Sequence, residues 1–410
     1  MEAYSTDSLE KLAARLDYTA HDDGSERIRK CAELLRNTPD EIRRELREEL
    51  EEMLLRMDSN EASDMDIGGL GCSNTVWYRV HGQKKPDTDY QYSLAETDLM
   101  LLNVLNPTQI DTLIINQSLD FSYTLENAEG VKQRYRSTMY LDLDHLAMNM
   151  RSISTQIRPF GGLGLHPEAA KLLSLNYMKY GLTLVTGITG SGKSSTLDTI
   201  IDANNRTIEA HIVIIASPIE MVHKPKKCII RHREVGRDVT SFKAGAVQSL
   251  RQDPDIIVIG ELRDPDTIQT ALEITDSGHK TFATLHTASA TESIDRIIGE
   301  VQVDQQERVR NRLADVLTCV ISQKLLPSTD GKRVLAKEVL VVTPSVRAAI
   351  RNNTLGEIYQ MINEGGSAGM ITMEQDLKRL YQEDKITIYD AISHANNKKR
   401  LREILGLEQQ

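Results

Sequence analysis

Gly187-Ile188-Thr189-Gly190-Ser191-Gly192-Lys193-Ser194-Ser195 follows the apolar run Leu182-Thr183-Leu184-Val185-Thr186 and precedes a helix-like run from Thr196 to Asn204. The order is strand, phosphate loop, helix. Glycines at both ends let the backbone curl so that successive N–H groups point at phosphate oxygens, and the helix start adds partial positive charge. Lys193 is then placed to reach the terminal phosphates and Ser194 to ligand Mg²⁺. Gly187, Thr189, Gly190, Ser191, Gly192, Lys193, Ser194 and Ser195 form the candidate nucleotide-binding set, with ATP and Mg²⁺ the implied cofactors. The bland alternative is a glycine-rich turn without ligand, and placement between strand and helix argues against it.

Leu250-Arg251-Gln252-Asp253-Pro254-Asp255 leads into Ile256-Ile257-Val258-Ile259 and then Gly260-Glu261-Leu262-Arg263-Asp264. Four β-favouring apolar residues with no polar break predict a parallel strand buried on both faces. In open α/β sheets ligands sit beyond the carboxyl ends of the strands, so Glu261 is expected in the same crevice as the phosphate loop. There it either orients water for attack on a γ-phosphate and helps hold the metal's water shell, or, with Asp264, merely caps the next helix. Arg263 joins the candidate nucleotide-binding residues.

These stretches resemble the type II secretion and type IV pilus hexameric ATPases, whose signature is similar to Leu250–Pro254 through Gly260–Asp264. Ser277-Gly278-His279 and Thr284-Leu285-His286-Thr287 resemble the family's histidine box, and Arg233-Glu234-Val235-Gly236 with Thr240-Ser241-Phe242 falls in the right order between loop and signature. Val346 to Asn353 and Gly369 to Leu377 resemble C-terminal elements of the PilT-like retraction branch, and the likeness spans about residues 150 to 400. The resemblance implies a γ-phosphate contact for His286 and a catalytic part for Glu220. It also implies nucleotide bound between core and small domain, six subunits in a ring, and a membrane platform protein as partner.

Departures from the family pattern bear on chemistry. Relatives carry adjacent Glu and Asp before Pro-Ile-Glu, where this chain reads Ala216-Ser217-Pro218-Ile219-Glu220. Either the chain binds nucleotide and hydrolyses it slowly, or it is altered from a parent that had the acids. Loss of such a carboxylate slows chemistry more than binding, because its contribution is largest in the transition state. Val247 and Leu141 stand where relatives have arginines, and Ile188 replaces a loop proline.

His279 and His286 are separated by the strand-like Lys280–Leu285, which argues against a metal pair on one helical face. Without the family, His286 reads equally as a reporter of nucleotide state or as a hydrogen-bonded structural histidine. The 410 residues carry 60 acidic and 49 basic side chains for a net charge of −11, which disfavours a broad basic surface for nucleic acid. Cys31, Cys72, Cys228 and Cys319 are scattered, which excludes a local tetracysteine zinc module of the kind extension-type relatives carry. No run reaches the roughly 18 apolar residues of a membrane span, so a cytoplasmic protein is expected, peripheral to the inner membrane through pilus machinery.

The expected fold class is α/β: a RecA-like P-loop ATPase core with a smaller α+β N-terminal domain, which the family resemblance implies is PAS-like, a helical N-terminal extension and a helical C-terminal tail. Domain bounds are 1–65 for the charged extension, 66–151 for the small domain, 152–165 for the linker, 166–345 for the core and 346–410 for the tail. In the extension, Asp40 is expected to cap a helix whose apolar positions Leu46, Leu50 and Leu54 form a packing face. Gly68-Gly69-Leu70-Gly71 marks the boundary, Thr112–Asn116, Ser118–Leu125 and Lys132–Leu143 read as strands, and Glu129-Gly130 as a turn.

The leading functional expectation is a homo-hexameric ATPase that drives pilus retraction, with Glu261 orienting water and His286 sensing the γ-phosphate. The alternative is a catalytically weakened nucleotide-binding subunit partnering an active paralogous ATPase. A third reading is a motor working in the extension or secretion direction.

Overall fold

The computed structural model describes residues 7–81, 83–126, 130, 132–153 and 156–407, so Glu129 of the expected turn and residues 154–155 of the expected linker lie outside it. The chain divides into two units. The first is Met1–Thr155 with Ser217–Val222 and Gly236–Asp238, and the second is Gln156–Ala216, His223–Val235 and Val239–Gln410.

The first unit begins with helices α1 (Asp7–Ala13), α2 (Gly24–Arg36) and α3 (Asp40–Ser59), continues through β1 (Ala62–Gly68), β2 (Val76–Val80), β3 (Gln83–Asp87), α4 (Leu94–Leu102) and α5 (Pro107–Asn116), and ends with β4 (Ser118–Glu126), β5 (Lys132–Asp142) and β6 (His145–Ile153). Its six strands form one antiparallel sheet in the order β3-β2-β1-β6-β5-β4. The apolar stripe of α3 serves as a packing face, with Leu46, Leu50 and Leu54 buried in one core with Met65, Tyr135 and Met148 from the sheet. Asp40 is the first helical residue of α3 and not its cap, which falls on Pro39 with no side-chain bond. Residues Thr112–Asn116, expected as a strand, lie in α5. There Pro107 occupies the first turn and Asn106 and Gln109 form a reciprocal capping box, so helix-start chemistry overrides the β-branched run. The expected boundary at Gly68 is the end of β1, a strand that pairs with both β2 and β6.

The second unit comprises α6 (Pro167–Leu173), β7 (Gly181–Thr186), α7 (Lys193–Thr207), β8 (His211–Ala216), β9 (Ile229–Glu234), α8 (Phe242–Ser249), β10 (Ile256–Ile259), α9 (Pro265–Asp276), β11 (Lys280–Leu285), α10 (Ala290–Gly299), α11 (Val303–Val316), β12 (Leu317–Pro327), β13 (Arg333–Val341), α12 (Pro344–Arg351), α13 (Ile358–Glu364), α14 (Met373–Gln382), α15 (Ile388–His394) and α16 (Lys398–Leu405). Its seven strands run β13-β12-β7-β11-β10-β8-β9, all parallel to their neighbours except β13, which returns antiparallel to β12. Strands β7, β10 and β11 are buried along their whole length, as a sheet covered by helices on both faces requires. Helices α14 to α16 pack on β12 and β13 through Leu326, Ala336, Met373, Leu377 and Leu401.

Phe282 sits fully buried at the middle of β11. Phe282→Ala removes a buried ring and leaves a cavity that a parallel strand cannot collapse, so the second unit is expected to lose about 3–4 kcal/mol. Urea unfolding followed by circular dichroism measures it, and a loss under about 1 kcal/mol would contradict this packing.

Candidate nucleotide-binding site

Strands β7, β11, β10 and β8 are successive neighbours, and the candidate residues leave their carboxyl ends in that order. The phosphate loop follows β7, His286 follows β11, Glu261 follows β10 by two residues, and Ala216 closes β8. Parallel pairing aligns these ends, with Leu285 opposite Thr186 and Ile259 opposite both Ala283 and Ile215. Sheet topology, not sequence proximity, assembles the site, as expected where ligands bind at strand ends.

The loop has no room for a side chain at its first glycine. A Cβ on Gly187 would fall 2.4 Å from Ser191 Oγ and 2.5 Å from the Gln323 carbonyl oxygen. Gln323, buried on β12, also donates from Nε2 to the Ser191 carbonyl at 2.8 Å, so the strand flanking β7 braces the loop from beneath. Helix α7 starts at Lys193 and, among the described residues, has no side-chain cap. Its first N–H groups are thus left for an anion. The Ser191 hydroxyl is buried with no hydrogen-bond partner among the described residues. An uncapped helix start, a curled loop and an orphaned hydroxyl together fit a bound phosphate chain. Lys193, Ser194 and the loop amides would hold it, with Ser194 Oγ available to a Mg²⁺ ion.

Lys193 Nζ donates to the carbonyls of Gly187 at 2.8 Å and Ile188 at 3.2 Å and lies 3.4 Å from His286 Nδ1. On its other side, His286 Nε2 lies 3.2 Å from Glu261 Oε1, and Arg263 Nε donates to Glu261 Oε2 at 2.6 Å. Lys193, His286, Glu261 and Arg263 thus form one continuous chain of contacts. Burial holds the Lys193 ammonium below its usual range, with Glu261 pulling the other way. Burial and the Lys193 charge likewise hold the His286 imidazole below its ordinary 6.5, against the opposing pull of Glu261. A neutral imidazole between an ammonium and a carboxylate can donate from one nitrogen and accept at the other.

The two acids after β10 make different contacts. Asp264 caps α9, accepting from Thr267 N at 2.8 Å and from its hydroxyl at 2.7 Å, while Glu261 faces His286 and Arg263. Arg263 is committed to Glu261 in this structure. Glu220 belongs to the first unit, where its carboxylate meets Arg136 Nη1 at 3.4 Å and its backbone carbonyl accepts from Arg134 Nε at 3.1 Å. His279 lies before β11 and His286 after it, so the strand's length separates them and they cannot share one ion. His279 Nδ1 instead approaches Ile274 O at 3.2 Å and Ser277 Oγ at 3.0 Å.

Ala216 stands beside the acid-bearing strand. A Cβ added to Gly260 would lie 3.1 Å from both Cα and Cβ of Ala216, so β8 and β10 approach closely just before Glu261. Sequence reasoning missed Gln323 beneath the loop and Arg296, whose Nη1 donates to the His286 carbonyl at 3.2 Å. The polar run Ser322-Gln323-Lys324 between apolar stretches of β12 was the available signal for the first; nothing local marks the second.

The chain is similar to known proteins over most of its length. The family described as "Type II/IV secretion system protein" matches residues 43–405. A "Twitching motility protein" of Neisseria gonorrhoeae is 36% identical over 80% of this chain and 86% of its own length. The "Type IV pilus ATPase PilU" of Pseudomonas aeruginosa is 34% identical over 88% of this chain and 92% of its own. Among solved structures, the pilus retraction motor PilT with bound ADP superposes with a TM-score of 0.75 and 36% identity, covering 86% of this chain and 98% of that one. Among the described residues, no helix is long and apolar enough to cross a membrane.

Proposed function

Because the chain belongs to the type II/IV secretion system protein family, we propose that it is an ATP-hydrolysing motor of the pilus-retraction type, built on a RecA-like core and a PAS-like domain. The carrying observation is the contact chain Lys193–His286–Glu261 across the ends of three neighbouring strands. Lys193 and the loop amides bind and neutralise the phosphates, Ser194 ligands the Mg²⁺ ion, and His286 contacts the γ-phosphate. Glu261 orients the attacking water. The bound ion would offset charge on the transferring phosphoryl group. Arg263 holds the Glu261 carboxylate in place, and a catalytic part for Glu220 rests on the family resemblance alone.

Hydrolysis yields work only if subunit conformations differ in affinity for ATP and its products. On this reading six copies form a ring, work in the cytoplasm against an inner-membrane pilus platform protein, and act alongside a paralogous ATPase. Similarity to proteins named for twitching motility and retraction supports the direction of movement. Ala216 and Ser217 favour one further reading, a subunit that binds nucleotide and turns it over slowly.

Steady-state phosphate release by the full chain, beside a nucleotide titration, tests the motor reading. Turnover above background is expected, and Ala216→Glu combined with Ser217→Asp should raise it roughly 10- to 100-fold, because an acid at the end of β8 stands next to Glu261. Tight binding with no turnover in either form would sink the motor and leave the slow subunit. An unchanged rate in the double variant would show that those positions do not limit chemistry.

A further inference from the structure

Glu338 lies on β13, a strand that contributes nothing to the nucleotide-binding loop, yet it is only 3% exposed. Its Oε1 accepts from Ala290 N, the first residue of α10, at 2.8 Å, and the Met373 N–H at the start of α14 favours its charged form. One buried carboxylate therefore bonds the amino end of α10 and feels that of α14, where a negative charge is favoured. Helix α10 is the continuation of the loop that carries His286. Helix α14 opens the C-terminal bundle.

A second tie runs in parallel. Lys324 Nζ on β12 donates to His394 O and Asn396 Oδ1, both at 2.7 Å, and Asn396 Nδ2 reaches Ala288 O at 3.4 Å, two residues beyond His286. Glu374, fully buried beside Glu338, accepts from Asn397 N at 2.7 Å and from Tyr359 OH at 3.1 Å, which fixes the start of α16 to α14 and to α13. Burial pushes the Glu338 carboxyl up to about 7; the Ala290 N–H opposes the rise, Glu374 adds to it, and the Met373 N–H and Lys324 oppose it. Its charge is thus held by the two helix starts, and withdrawing either donor alters its grip on the other.

We propose that Glu338 couples the segment after His286 to the C-terminal helices, and that through it and Asn396 the helices α14 to α16 take up the nucleotide state that His286 contacts. The inference rests on the reading of His286 as the γ-phosphate contact. A buried carboxyl bonded to one helix end and packed beside another is costly to leave unsatisfied, so movement of α10 must be answered by the C-terminal helices or by loss of the Ala290 hydrogen bond.

Hydrogen exchange on the full chain, compared between ADP and a non-hydrolysable ATP analogue, reads the coupling directly, with kcat and KM measured alongside. In the natural chain, residues 286–292 and 373–401 are expected to change protection together. Glu338→Gln keeps an acceptor for one helix start and removes the charge. It should leave the change in the loop intact, reduce the change in 373–401 roughly fivefold, and lower kcat with little effect on KM. Asn396→Ala, an exposed change that cannot unfold the core, should act in the same direction and stands in if Glu338→Gln does not fold. A full C-terminal change in both variants would overturn the inference and leave the function of His286 untouched. A natural chain that binds both nucleotides with an unresponsive 286–292 loop would overturn the His286 reading and this inference with it.

Discussion

Lys193→Ala is expected to weaken binding of Mg²⁺-ATP by roughly two to three orders of magnitude while leaving the fold intact. The ammonium stands at the first residue of α7, where the loop curls over it, and in this structure it donates to the carbonyls of Gly187 and Ile188. A phosphate chain in the loop offers stronger acceptors than those carbonyls. Two charge-assisted contacts at about 1.5–2 kcal/mol each amount to about 3–4 kcal/mol, which sets the size of the loss. Stability should not follow affinity down. Burial holds the ammonium below its usual 10.5, so the folded chain spends stability keeping it charged, a penalty that would lift as pH rises through that lowered value. Isothermal titration with Mg²⁺-ATP and a thermal melt of the same preparation separate the two effects. Affinity within threefold of the natural chain would mean that the loop is not the phosphate site, and no part of the proposed chemistry would survive.

What the sequence revealed of this site and what it hid follow from how each residue's environment is made. Strand β10 falls on the expected Ile256–Ile259 because a strand buried on both faces is mostly apolar, and β11 falls on the expected Lys280–Leu285 although it buries a lysine and two threonines. Helices α14 and α15 fall within the expected helical tail, each opened by a threonine cap. Strand β1 was invisible because Asp64 and Asp66 give it a solvent-like pattern. Across the sheet those acids meet Arg79, Arg151 and Lys84, so the charges are paired where the sequence shows only their signs. Helix α5 was read as a strand because Thr112 to Ile115 suit either period, and only the Asn106–Gln109 capping box decides between them.

The same limit governs the site. Glu261 and the phosphate loop could be brought together from sequence because parallel topology delivers strand ends to one edge. The order β7-β11-β10 could not, and it is this order that places His286 between Lys193 and Glu261. Glu338 shows the opposite failure. Lys337-Glu338 reads as a charged pair on a solvated strand, yet both residues are buried, Lys337 with its ammonium 3.7 Å from the Asp376 carboxylate and Glu338 between two helix ends. Burial of such charges depends on helices distant in sequence, which no local pattern encodes.

Glu261→Gln should separate chemistry from binding. The carboxylate lies at the end of β10 with Oε1 toward His286 and Oε2 on Arg263, and it has no part in capping α9, which Asp264 performs. Glutamine keeps the shape and one acceptor, so the strand end should hold its place. What disappears is the negative charge that would polarise an attacking water and accept its proton, a contribution worth roughly two to three orders of magnitude in turnover. Affinity for ATP should stay within about threefold or improve, because an anion facing the phosphates repels them and its removal relieves that repulsion. Loss of the carboxylate also removes what pulls the His286 imidazole upward, leaving burial and Lys193 to keep it neutral. The γ-phosphate contact should therefore survive in the variant, and nucleotide should accumulate bound and unhydrolysed. Rapid-quench measurement of phosphate formation, paired with a titration, decides the matter. Turnover retained with affinity lost would make Glu261 a binding residue held by Arg263, and the water would need another base.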